Sequence, residues 1–355
     1  MNSRAWWVAF GCGMAVILCL APIIMQQSGA ASERYDSNVL EAIGDQHGSS
    51  SQAGGGKGMP SSNGSASPTA SSDAADKASQ AALAGAGQLL IDVYLSEEER
   101  TERVPLELYV RGVLAAEMPI EFELEALKAQ AIAARTYIMK HRGREITDTQ
   151  QHQVYLSMEK LLDYWPEETA QANLDKLARA VEETKGQVIT YKGEPIDASF
   201  FSTSNGFTEN SEDYWGNELP YLRSVASPWD KALSPKYEQQ TTMKLTDFNK
   251  KLGIGKQGNK DIQVLDRTPG HRIKSISIGG KVFSGREIRE RLELASSQFA
   301  IQIKGKEAII TTYGYGHGVG MSQWGANGMA MEGNAAEQIL KHYYTGITIE
   351  QVSNL

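Results

Sequence analysis

A chain of 355 residues with 43 acidic and 35 basic side chains carries a formal net charge of −8, which argues against a nucleic-acid binder, since such proteins show a basic face. Its two cysteines, Cys12 and Cys19, both fall in an apolar head, so the rest of the chain has no thiol for a disulfide, a thiolate nucleophile or a cysteine-ligated zinc. The head and a Ser/Gly/Ala-rich tract take up the first quarter, leaving length for one sizeable domain or two small lobes.

The head, AWWVAFGCGMAVILCLAPIIM from Ala5 to Met25, contains no charged residue and matches the roughly twenty residues a helix needs to cross the hydrocarbon core. Residues 1–26 are therefore expected to form a transmembrane anchor. Arg4 and the amino terminus precede it, which biases the N-terminus to the cytoplasm and the remainder to the outside. Gly29-Ala30-Ala31 resembles a small-residue cleavage site, so a removed signal peptide is the alternative; both put the folded part across the membrane. Residues 27–88 read as a disordered Ser/Gly/Ala-rich linker, because the stretch from 47 to about 86 holds almost no aromatic or β-branched residue to bury. Its role is reach.

Order is expected from Leu89, giving an extracytoplasmic domain over 89–355. LLIDVYL alternates like a strand. In VPLELYVRGVLAAEMP, Leu106, Val110, Val113, Leu114 and Glu117 recur at helical steps, so the Glu117 carboxylate continues an apolar face, and Pro119 ends the helix at Met118. The next helix places Leu124, Leu127, Ala131, Ala134 and Ile138 on one face, and another, through LDKLARAVEETKG, ends at Gly186 as a left-handed cap. QVITY and PIDASFF read as strands joined by a Lys192-Gly193 turn; RIKSISIGG, KVF, FAIQIKG and EAIITTYG read likewise. One last helix runs through AAEQILKHYY. With helices first and strands dominating later, the fold class is α+β.

Two stretches carry polar chemistry. Gly314-Tyr315-Gly316-His317-Gly318-Val319-Gly320-Met321-Ser322-Gln323-Trp324-Gly325 alternates glycines with functional side chains, so a ligand can approach its backbone closely; it has neither dinucleotide nor P-loop spacing. A tight structural turn with His317 satisfied in the core is the alternative. FFSTSNGFTENSEDYWG, from Phe200 to Gly216, is dense in hydroxyls, amides and aromatics, groups that bond to and stack on sugars, or else it is a long polar loop. Glu117 is the third feature. Desolvation and the negative end of the helix dipole both raise the pKa of a carboxyl so placed, which suits a general acid for glycosidic cleavage.

The set GVLAAEMP, EALKAQAIAARTY, AVEETKGQVITYKGEPIDASFFSTSNGFTENSEDYWG, PYLRSV and GYGHGVGMSQWGANGMA resembles the stage II sporulation protein D family of endospore formers, over nearly the whole region from Leu89 onward. The resemblance implies a lytic transglycosylase that acts on peptidoglycan during engulfment of the forespore. It places Glu117 at the family's catalytic glutamate, sets a glycan-binding groove between two lobes, and implies partnership with stage II sporulation proteins M and P, the latter an amidase that strips stem peptides first. Gln130, Arg135, Ser202, Thr203, His317, Ser322 and Gln323 are candidate substrate-positioning residues. Some family members hold zinc through a His/Cys set after the ARTY helix; here the segment from His141 to His152 has no thiol, so no metal or other cofactor is expected, with a mixed site from His141, Asp148 and His152 as the alternative.

One carboxylate suffices for such a reaction: it protonates the glycosidic oxygen and then, as base, activates the C6 hydroxyl of muramic acid to close a 1,6-anhydro ring. Stripping the stem peptide frees the lactyl carboxylate, and Arg135 is the candidate to take it in two parallel hydrogen bonds, with Lys128 two turns earlier; pairing of Arg135 with a neighbouring acid, such as Glu125 or Asp197, to hold the lobes together is the structural alternative. A non-catalytic glycan-binding module of the amidase enhancer kind, and a hydrolase using water, are the rival functions.

Overall fold

The computed structural model describes residues 89–149, 151–255 and 261–352. The anchor expected over 1–26 and the linker expected over 27–88 lie outside the described residues; among those described, no helix is long and apolar enough to cross a membrane. The described chain is α+β, with helices and several small sheets.

Strand β1 (Leu90–Leu95) buries Ile91, Val93 and Leu95 and exposes or half-exposes the residues between, the period-two pattern of a strand with one covered face. It pairs antiparallel with β2 (Arg100–Pro105) and parallel with β3 (Ile146–Thr147). Helix α1 (Leu106–Glu117) follows β2 directly and stops as the sequence implies: Met118 is extended (φ −116°, ψ 133°) ahead of Pro119. Helix α2 (Leu124–Lys140) differs from the one-faced amphipathic helix the spacing predicts. All residues from Ala129 to Ile138 are buried, because α1, α4 (Glu167–Glu182), α9 (Gln323–Met331), α10 (Ala336–Tyr343) and β4 (Gln187–Tyr191) pack around it, and its alanines permit that approach.

Helix α3 (Met158–Leu162), capped by the Ser157 hydroxyl on Lys160 N–H, leads into α4. Helix α4 ends at Glu182 rather than at Gly186, which instead turns the chain into β4 with φ +74°. The Lys192-Gly193 turn (φ +54° and +81°) joins β4 to β5 (Glu194–Pro195), and β14 (Thr348–Gln351) covers the other edge of β4. Of the strand expected through PIDASFF, only β5 and β6 (Phe200–Phe201) form ladders; β6 pairs with β13 (Met321–Ser322) in parallel.

After the short helices α5 (Ser211–Trp215) and α6 (Asp230–Leu233) the chain builds a second, separate apolar core. Strand β7 (Glu238–Lys244), helix α7 (Leu245–Leu252), strands β8 (Ile262–Arg267), β9 (Ile273–Ile278) and β10 (Lys281–Ser284), helix α8 (Gly285–Leu292), and strands β11 (Phe299–Lys304) and β12 (Glu307–Tyr313) enclose Phe248, Ile276, Ile288 and Ile310. The sheets run β10-β9-β8 and β11-β12-β7. The first core draws on residues before and after this insertion, from Ile91 to Leu222 and from Val319 to Ile347. The last helical region is two helices, not the single one expected: α9 and α10 are separated by a turn at Gly333 (φ +88°).

Candidate active site around Glu117

Glu117 is the last residue of α1, half-buried, with protein packed around its carboxyl. Its Oε1 accepts the Val154 N–H at 2.9 Å. Val154 belongs to a segment crossing α1, where Leu156 N donates to Gly112 O at 3.3 Å; a Cβ at Gly112 would overlap the Leu156 carbonyl and the Tyr155 ring. The Tyr155 ring stacks on Tyr109 (centroids 5.2 Å apart, planes 15° apart), and the Tyr109 hydroxyl donates to Gln153 Oε1 at 3.3 Å. Burial pushes the Glu117 carboxyl up to about 7, and the Val154 N–H, which favours the charged form, offsets part of the rise. Near neutral pH this group therefore divides between acid and base forms, the condition for giving a proton and taking it back.

Helix α9 binds this corner to the glycine-rich region. Gln323 Nε2 donates to the Glu117 carbonyl at 3.1 Å, Asn327 Oδ1 accepts the Glu123 N–H at 2.8 Å, and Trp324 meets Phe122 edge-on at 4.7 Å. Ser322 caps α9 by accepting the Gly325 N–H at 3.3 Å. Trp324 N donates to Ser202 O at 3.1 Å, so Ser202, Ser322 and Gln323 meet at the start of α9.

Several candidates serve the interior instead. Ser322 and Thr203 are fully buried; the Ser322 hydroxyl donates to Asp230, and Thr203 Oγ1 bonds Ser234 Oγ at 2.7 Å. Asp230, also fully buried, accepts Ser204 N–H and Ser227 Oγ at 2.7 Å each, and Ser227 Oγ bonds Tyr343 Oη at 2.8 Å. Burial raises the Asp230 pKa while the hydroxyls and amide around it pull it back. The hydroxyl-rich stretch is thus in part a knot tied around Asp230, a residue that its own short segment gave no reason to single out. His317 is 9% exposed; its Nδ1 accepts the Val319 N–H at 3.1 Å and its ring lies 5.4–5.8 Å from those of Phe201, Tyr214 and Trp215.

Arg135 requires a correction. It is fully buried and its fork holds Glu107, Nε to Oε1 at 3.0 Å and Nη2 to Oε2 at 2.6 Å, with Nη1 on Gln187 O at 3.1 Å. Its carboxylate partner is internal, the structural alternative rather than the substrate role, although the acid is Glu107 and not Glu125 or Asp197. Lys128 is likewise taken by Glu125 and Glu183. Gln130 is wholly buried, and neither its oxygen nor its nitrogen has a partner; Gln153 Nε2 shares that condition. Such amides are ordinarily satisfied by water or ligand.

The three residues of the alternative metal site have other partners: His152 Nδ1 accepts the Thr147 N–H at 3.1 Å, Asp148 Oδ1 accepts the Ser96 N–H at 3.0 Å, and His141 Nε2 lies 3.6 Å from Asp197. Among the described residues no group of three or more His, Cys, Asp or Glu is placed to hold a metal ion. Val154, Gln153, Asn327 and Asp230 were missed by sequence reasoning, since their contacts join segments far apart in the chain.

The arrangement is that of a protein presenting one raised-pKa carboxyl at a helix end, braced by a second helix. A family model described as Stage II sporulation protein (SpoIID) matches residues 94–191, which include Glu117. Over 275 residues, 74% of this chain and 79% of the relative, the chain is 47% identical to Stage II sporulation protein D of Bacillus amyloliquefaciens. It is 45% identical over 277 residues to the Bacillus subtilis (strain 168) protein of that name, covering 75% of this chain and 80% of the relative. The Amidase enhancer of Bacillus subtilis (strain 168) is 30% identical over 297 residues, 68% of this chain and 40% of that protein. The chain belongs to the stage II sporulation protein D family, whose name places its members in sporulation.

Proposed function

We propose that the chain is a lytic transglycosylase that cleaves peptidoglycan glycan strands stripped of stem peptides, leaving 1,6-anhydromuramic ends, during engulfment of the forespore. The observation that carries this reading is Glu117: a carboxyl at a helix end, raised by burial to about 7 and held by one backbone N–H. In its protonated form it gives its proton to the glycosidic oxygen as the C1–O bond breaks. As the carboxylate it then takes the proton of the muramic C6 hydroxyl while O6 bonds to C1, which returns Glu117 to the acid. Charge on the oxocarbenium-like centre is met by the forming carboxylate itself. The two cores suit a strand lying between two lobes, and membrane anchorage with the described region outside the cytoplasm, beside an amidase (stage II sporulation protein P) and stage II sporulation protein M, completes the proposal.

A non-catalytic role is favoured by one observation, the likeness to a protein named Amidase enhancer. Mass spectrometry of denuded strands incubated with the protein decides between them. Anhydro ends lost in Glu117→Gln are the expected result; reducing ends mean a hydrolase, and intact strands under every condition leave a glycan-binding enhancer.

A further inference from the structure

Part of the polar stretch from Phe200 to Gly216 is used neither by Asp230 nor by the surroundings of Glu117. Asn205 and Phe207, together with Arg267 at the end of β8, His271 from the turn between β8 and β9 and Gln298 just before β11, line a recess of about 390 Å³. It is a wide-mouthed depression in the surface rather than an enclosed cavity. Phe207 is 37% exposed, and the His271 imidazole lies 4.6 Å from its ring at a tilt of 56°. An open aromatic beside a second ring is a surface on which the apolar face of a pyranose stacks.

The walls are fixed in advance. Asn205 Oδ1 accepts the Phe207 N–H at 3.2 Å, and Asn205 Nδ2 donates to Gly270 O at 2.8 Å and to Gln298 Oε1. His271 has φ +65°, an unusual backbone for a residue with a side chain, held by His271 N–H on Thr268 O at 2.9 Å and by Arg267 Nη1 donating to the His271 carbonyl at 2.9 Å. Glycine would fit that turn with less strain, and what histidine adds is a ring against Phe207. Arg267 is exposed, and the lining includes this full cation and no carboxylate.

An aromatic face, the Gln298 side-chain amide and a guanidinium match, in order, the ring, the N-acetyl group and a carboxylate of one sugar. We infer that this recess is a second glycan-binding site, distinct in its residues from the Glu117 site, that takes a muramic acid unit whose lactyl carboxylate is free and pairs with Arg267. The inference rests on the peptidoglycan reading above. It supplies the cation for stripped strands that the internally paired Arg135 does not.

The test uses the whole chain carrying Glu117→Gln, so that binding is measured without cleavage, and calorimetric titration with three probes: denuded glycan strands, chito-oligosaccharides lacking the lactyl group, and free stem peptide. Phe207→Ala is expected to weaken denuded strands and chito-oligosaccharides about tenfold, and Arg267→Gln to weaken denuded strands about tenfold while leaving chito-oligosaccharides unchanged, with melting temperatures of both held. Denuded strands that bind both variants as tightly as the parent overturn the recess site while leaving the glycan function intact. Failure of the parent to bind any glycan overturns that function itself. Stem peptide bound by the parent and lost in Arg267→Gln reassigns the recess to peptide.

Discussion

At the scale of single residues, the Glu117 carboxyl ties stability, and in the proposed reaction activity as well, to the same proton. Its ordinary value is 4.5 and its folded value about 7, so between those pH values the native state binds more protons than the unfolded chain. Stability contributed at this site is therefore whole below about 4.5, falls as pH rises, and reaches its full loss above about 7, a penalty of roughly 3 kcal/mol at most. Gln in its place keeps an oxygen for the Val154 N–H and has no charge to bury. Glu117→Gln should melt higher than the parent at pH 8 and equal to it near pH 4.5, and cleavage by the parent should fall as pH rises through about 7 because the first step needs the acid. Melts and initial rates across pH check this; a variant no more stable at pH 8 means that the carboxylate is not desolvated. Arg135 behaves in the opposite way. Removing it leaves Glu107 without its bidentate partner, and Arg135→Gln should cost about 3 kcal/mol, read as a lower urea midpoint, with activity per folded molecule preserved. An unshifted midpoint with weaker use of denuded strands would restore the substrate role.

Among the elements, the glycine-rich loop shows where backbone shape and packing act together. Gly318 has φ +88°, and a Cβ there would overlap the guanidinium of Arg272, itself 2% exposed; at Gly193, φ is +81° but nothing lies within 4 Å of the same added atom. Gly193→Ala should therefore cost only the left-handed backbone, about 1 kcal/mol, while Gly318→Ala adds displacement of a buried cation and should lower stability by several times that amount. Chemical denaturation of the two variants checks the contrast, and equal costs would mean that Arg272 moves aside freely. Helices α1 and α2 were legible because their apolar periodicity is local, and so was the stop at Pro119. Helix α9 was not: Gly325 and Gly328 lower its propensity, and their purpose, contact with Tyr343, Ser227 and Trp229, exists only once α10 and the segment before α6 have arrived. The Glu117 carboxyl could be picked out from its helix face and following proline, whereas Val154 and Gln323, 37 and 206 residues away, could not. Arg135 shows the same limit: a guanidinium fork that holds a carboxylate in two bonds is implied by the residue type, but the choice of Glu107, 28 residues back in the chain, is made only by the fold.

For the molecule as a whole, the second core is continuous in sequence while the first is assembled from the segments on either side of it. A buried Glu209–Arg272 pair at 3.7 Å, with Thr268 Oγ1 donating to Glu209 at 2.7 Å, ties the insertion to the Phe200–Gly216 stretch. Glu117 on α1 and its partner Gln323 on α9 lie with the first core, while Arg267 at the end of β8 and His271 in the turn after it are carried by the insertion. Weakening the insertion should therefore separate the two sites. Ile310 is fully buried in the second core, and Ile310→Ala should cost about 2–5 kcal/mol there. Units with their own cores open independently when the contacts between them are few, so amide exchange in this variant should rise in β7, α7 and β8 to β12 while α2 amides remain protected. If the chain acts as proposed, cleavage of strands too short to reach the recess should persist, and binding of long denuded strands should fall toward the level of Arg267→Gln. Exchange that rises in α2 to the same extent would show instead that the buried pair welds both cores into one cooperative unit, in which case loss of either site would accompany loss of the other.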